Sequence, residues 1–139
     1  MKTQTKAMNV TLWVLQGLLA ATFFVSGITK FAGGMNEEFL AWGYSLGFAI
    51  FIGIVEVVCA VGLLFRRSAG WSALVLMVIM LGAMWTHGTH GEYAMLALPI
   101  VVFLLLGVVT WGRGLSWESQ RRAEVPRTVP PPRGSVPQV

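Results

Sequence analysis

Glu56 is the residue best placed to do chemistry, because it stands ten residues into an apolar run from Leu46 to Phe65. At about 1.5 Å of rise per residue it lies roughly 15 Å along a helix, a depth at which an acidic side chain costs roughly 2.5–3.5 kcal/mol to insert into a bilayer. Something must offset that cost. Ala49, Gly53, Glu56 and Ala60 follow the spacing of one helical face, so the carboxyl sits on a stripe of small residues where a second helix can approach closely. Two roles fit a carboxyl there. It is either a partner for a ligand, a proton or a quinone headgroup inside a helical bundle, or a hydrogen-bonding group that joins helices.

Lys30 is the natural counter-charge, and Ser26 and Thr22 continue its polar stripe at intervals of four. A lysine at a span end commonly snorkels to the headgroups, so pairing with Glu56 requires Lys30 to turn inward. Gln16, lower on the same helix, is a further candidate ligand or proton-site residue that must find a partner inside a bundle. His87, His90 and Glu92 lie within six residues of one another and have the donor types of a zinc or copper site. Gly88 and Gly91 make that stretch read as a turn, and a polar, pH-responsive turn is the competing account. Met77, Met80, Met84 and His87 share a face, which is ordinary packing in a membrane helix.

Other chemistries are excluded by residue type. Cys59 is the only cysteine, which rules out an intramolecular disulfide or a Cys-x-x-Cys relay. There is no aspartate, no P-loop and no dinucleotide-binding glycine fingerprint. Haem is poorly supported, since neither histidine lies within an expected span. The net charge of +4 does not signal nucleic acid, because the ten Lys and Arg residues gather at the ends of apolar runs.

The elements that must position these groups are set by composition. Of 139 residues, 55% are hydrophobic and 12% charged, against about 25% charged in a soluble domain. Apolar runs at about 8–29, 46–65, 69–85 and 94–111 are each near the roughly 20 residues needed to cross a bilayer. The expected fold is therefore all-α, an integral membrane bundle of four helices occupying residues 1–117. Met8 to Thr29 is too long for the apolar core of a signal peptide and lacks a cleavage site after it. Lys2, Lys6, Arg66, Arg67, Arg113, Arg121 and Arg122 flank one side of the runs, so both termini are expected in the cytoplasm. Glu37 to Tyr44 reads as a short interfacial helix in the first outer loop, and Trp13, Trp71, Trp85, Trp111 and Trp117 as interfacial anchors. Pro99 should kink the fourth span by leaving the Met95 carbonyl without a donor. Residues 118–139 hold five of the six prolines and are expected to be a disordered, Pro-rich cytoplasmic tail.

Ser26-Gly27-Ile28-Thr29-Lys30-Phe31 resembles the Ser-Gly-x-x-Lys-Phe/Leu signature of the DoxX and DoxX-like family. The likeness continues through Trp42-Gly43-Tyr44, Gly53-x-x-Glu56, Gly62-Leu63-Leu64 and Arg66-Arg67, and covers roughly residues 12 to 112. The resemblance implies a four-helix protein of the bacterial inner membrane, with Lys30 and Glu56 at the family's polar positions. His87 and His90 are not part of that pattern. Some relatives are linked to thiosulfate oxidation with quinone as acceptor, others to redox-stress complexes or receptor assembly, so kinship does not transmit one function.

The first expectation is an accessory subunit that binds a small apolar or quinone-like molecule, or a membrane or redox partner protein, near Glu56 and Lys30. The alternative is a quinone-linked oxidoreductase subunit in which Glu56 relays a proton. Against it stands the lack of a cofactor motif, quinone itself being the one cofactor that either reading admits. A proton-coupled exporter also uses four helices and a buried glutamate but places it in the first helix. Homo-oligomerisation is compatible with each reading, and nucleic acid with none.

Overall fold

The computed structural model describes residues 6–114, which form a bundle of four long helices with one short helix between the first two. Helix α1 runs over Lys6–Phe31, α2 over Asn36–Ala41, α3 over Leu46–Leu63, α4 over Ala69–Thr89 and α5 over Ala97–Arg113. A 3-10 turn, Tyr93–Leu96, leads into α5. Four of these helical stretches are long and apolar enough to cross a membrane. Side chains such as Leu18, Val25, Val58 and Leu104 face outward and are exposed. Apolar surface of that extent is stable only against lipid, so the chain is a multi-pass membrane protein. The expected tail, 118–139, and Trp117 lie outside the described residues.

Short connections make sequential helices antiparallel neighbours. Accordingly α1 packs on α3, α3 on α4 and α4 on α5, and α5 closes the ring against α1. The interior is filled by Phe23, Ala60, Leu63, Ala73, Leu76 and Leu106, all buried. The tightest seam is between α1 and α3. A Cβ on Gly27 would lie 2.6 Å from the Gly53 carbonyl oxygen, and one on Gly53 would lie 2.7 Å from the Gly27 carbonyl oxygen. Only glycine fits at either position, and the backbones cross in contact. The small-residue stripe on α3 thus performs as its spacing predicts, with Ala49, Glu56 and Ala60 buried on the same face.

Several helix boundaries differ from the sequence reading. Helix α1 extends through Lys30 and Phe31, which places Lys30 in its last turn. Helix α4 does not stop near Trp85 but continues to Thr89, so His87 and Gly88 are helical rather than part of a turn. Threonine hydroxyls bridge back to the preceding turn there, Thr86 to Gly82 O at 3.0 Å and Thr89 to Trp85 O at 2.9 Å. Pro99 does not interrupt an established α-helix, because α5 starts just before it at Ala97. It occupies the third position of α5, where a first-turn N–H has no intrahelical acceptor to lose.

Helix α2 is shorter than Glu37 to Tyr44 and folds back over the bundle, with Phe39 buried. Gly43, at φ +82°, makes the reversal after α2 that a Cβ would strain. Ser45 then caps α3, its hydroxyl accepting from Phe48 N at 3.2 Å.

Candidate functional site

The glycine crossing determines where the charges meet. Ser26 and Lys30 flank Gly27 on α1, while Glu56 lies three residues after Gly53 on α3. With the backbones in contact, Lys30 Nζ donates to Glu56 Oε2 at 2.9 Å and Oε1 at 3.2 Å, and to Ser26 Oγ at 2.6 Å. Ser26 Oγ in turn donates to Glu56 Oε2 at 3.1 Å. The side chains of Lys30 and Glu56 are only 12% and 2% exposed. Lys30 therefore does not snorkel. It spans both carboxylate oxygens, and the serine completes a closed triangle that offsets the cost of burying Glu56.

This triangle forms part of the wall of a cavity of about 540 Å³. That volume lies within the range of small-molecule sites. From α1 come Thr22, Phe23, Ser26 and Lys30, and from α3 come Phe48, Ile52 and Glu56. Helices α4 and α5 contribute apolar surface through Ile79, Met80, Pro99 and Val102. Val78 and Leu98 line it too and stay largely exposed, so its wall is continuous with the apolar outer surface of the bundle.

Residues expected to sit only in the headgroup layer cover one end of this cavity. Phe39, Trp42 and Tyr44 line it and pack their rings at 5.6 to 6.0 Å from one another, Phe39 being the shared member. Two long-range links tie this cover to α4 and the loop after it. Tyr44 Oη lies 2.9 Å from Thr86 Oγ1, and Trp42 Nε1 donates to Glu92 Oε1 at 3.2 Å. Glu92 Oε2 also lies 2.6 Å from His87 Nδ1, and the His87 ring meets Trp42 edge-on at 5.3 Å between centroids. The hydrogen bond with His87, and then that from Trp42, hold the Glu92 carboxyl below the usual carboxylate range. Trp42, Tyr44 and Thr86 were not singled out as site residues by sequence reasoning. The only local signal was the aromatic content of the first loop, since their partners lie more than 40 residues away.

The other sequence candidates fall elsewhere. His90 does not join His87 and Glu92, because its Nδ1 turns to the Thr86 carbonyl at 2.8 Å. Among the described residues no group of three His, Cys, Asp or Glu is arranged to hold a metal ion. Gln16 is buried away from the cavity wall. Its Nε2 donates to Leu63 O at 2.5 Å and its Oε1 accepts from Arg113 Nε at 2.6 Å. Arg113 reaches on to Asn9 Oδ1 at 2.8 Å and lies 5.0 Å over the Trp13 ring.

An up-and-down bundle of apolar helices, with one buried ion pair opening on a cavity, defines a helical membrane protein with an internal site. The model of the DoxX-like family matches residues 14–109, and the chain belongs to that family. No curated protein and no solved structure matches it.

Proposed function

We propose that this protein binds a small apolar or quinone-like molecule in the cavity beside Lys30 and Glu56, and serves as an accessory subunit to a membrane or redox partner. The observation that carries this reading is the joining of a largely apolar cavity to a buried, charge-balanced triangle. A hydrophobic body fits the wall from α4 and α5, and a polar head meets the charged Lys30–Glu56–Ser26 triangle at one side of the cavity. Access from the bilayer is in keeping with the exposure of Val78 and Leu98.

Mass spectrometry of small molecules that co-purify in mild detergent tests the reading. An apolar compound with an oxygen-bearing, quinone-like ring is expected with the wild type and is lost in Glu56→Gln, which keeps size and hydrogen bonding but removes the negative charge that holds Lys30. Equal recovery from Glu56→Gln would sink the assignment of the site.

The same reading sets the protein in a bacterial inner membrane with both termini cytoplasmic, following the basic residues. In a Cys59→Ala background, a cysteine at Gly34 should then react with impermeant reagents from outside. Labelling only from the cytoplasmic side would reverse the orientation.

A further inference from the structure

The cavity has a second polar pole that the ion pair does not use. His87 forms part of its wall, on the last turn of α4. Glu92 faces His87 Nδ1 at 2.6 Å and also receives the Trp42 indole N–H at 3.2 Å. An ionised carboxylate can only accept hydrogen bonds, so with Glu92 ionised the proton of this contact belongs to His87 Nδ1. In the neutral ring Nε2 is then a bare acceptor. Its edge contact with Trp42 at 5.3 Å further fixes the ring plane. This is the arrangement of an imidazole oriented by a carboxylate, with its second nitrogen left for a ligand.

The two poles differ in kind. At the ion pair the N–H donors of Lys30 are already directed at Glu56 and Ser26, whereas the imidazole offers a lone pair. Around the imidazole the wall is aromatic, with Phe39, Trp42, Tyr44 and Phe48 in successive ring contact. From this we infer that the cavity selects an aromatic ring bearing a hydroxyl group, a phenol or a quinol, whose O–H donates to His87 Nε2. The inference rests on the cavity being a binding site as proposed above and narrows its ligand to the hydroxyl-bearing, reduced form of such a ring. No electron transfer is required.

The test compares 4-tert-butylphenol with its methyl ether, which keeps the ring and an oxygen but cannot donate. Their affinities for purified protein are measured by calorimetry in one detergent, and the ratio is compared between wild type and His87→Phe. Partition into detergent is common to both proteins and cancels in that comparison. The phenol-over-ether preference should fall on the order of fivefold or more in His87→Phe, as expected for one lost hydrogen bond. His87→Gln, which retains an amide oxygen as acceptor, should keep part of it. Should His87→Phe fail to fold, Glu92→Leu serves instead. It frees Nδ1, lets the proton move to Nε2, and should lower the preference in the same direction. A ratio that His87→Phe or Glu92→Leu leaves unchanged overturns the inference while the cavity reading stands. Failure of both probes to bind the wild type overturns both.

Discussion

The bundle holds a half-buried cation at each of its two ends, and the two are treated differently. At one end Lys30 meets a full carboxylate and a hydroxyl, and a cavity opens beside them. At the other, Arg113 is held by the neutral oxygens of Gln16 and Asn9 and by the face of Trp13, while its Nη2 is buried without a hydrogen bond among the described residues. There the helices are closely packed, Gly112 of α5 leaving just the room that Leu12 of α1 fills. Neutral amides and an indole suffice to fasten α1 to α5 and to the end of α3. A charge-balanced pair beside open space does more than fastening requires, and that contrast is the physical reason for proposing a functional role for Lys30 and Glu56 rather than for Arg113.

Replacing each cation in turn should produce the largest effects and break the comparison if it is wrong. Lys30→Met leaves a buried carboxylate unpaired, which costs about 3–5 kcal/mol. Adding Glu56→Gln should recover most of that stability in detergent unfolding without restoring ligand. Arg113→Met leaves two amide oxygens without their donor, at about 1–3 kcal/mol, and should leave co-purified ligand intact. If ligand is lost with Arg113→Met and kept with Lys30→Met, the roles of the two ends are exchanged.

A somewhat smaller effect sharpens the comparison by moving the helices rather than the charges. Gly53→Ala forces a methyl group against the backbone of α1 and should cost about 1–3 kcal/mol while separating Lys30 from Glu56. Gly17→Ala, on the same α1 but with nothing within 4 Å of its Cβ, should stabilise the helix by up to about 1 kcal/mol. Thermal unfolding of the two variants side by side is the check, and equal behaviour would mean that the crossing is looser than described.

The smallest expected effect lies in the cover. Because Glu92 titrates below its ordinary value of 4.5 in the folded protein, its links to His87 and Trp42 contribute stability that is fully present above pH 4.5. That contribution is lost as pH falls through the lower folded value. Glu92→Gln should flatten this acid limb of the stability profile, whereas Arg113→Met should not. Coincident acid limbs in wild type and Glu92→Gln would show that the cover owes nothing to this carboxylate.

Much of this was legible in the sequence because it is local or periodic. The four spans follow from apolar length, and Glu56 on its small-residue stripe, with Lys30 as candidate partner if it turns inward, from helical spacing. What was not legible depends on long separations or on competing local signals. Gln16 plainly needed a partner, but nothing marks Arg113, 97 residues away, as the group that supplies it. Gly88 read as a turn, yet the threonines around it bond back along α4 and keep it helical. Trp42 read as part of an interfacial helix because lipid and a cavity rim select the same amphipathic ring.

The contact of Gly27 with Gly53 also sets how far each charged group lies from the crossing of α1 and α3. The two backbones meet there, with the side chains of Val57 and Lys30 beside the contact. Lys30 and Glu56 are each three residues from the crossing, a lever arm of only about 4.5 Å. Lys6, at the far end of α1, sits at the tip of an arm of roughly 30 Å. Any tilt of α1 on α3 about this crossing would therefore move the far tip through several ångströms and the ion pair hardly at all.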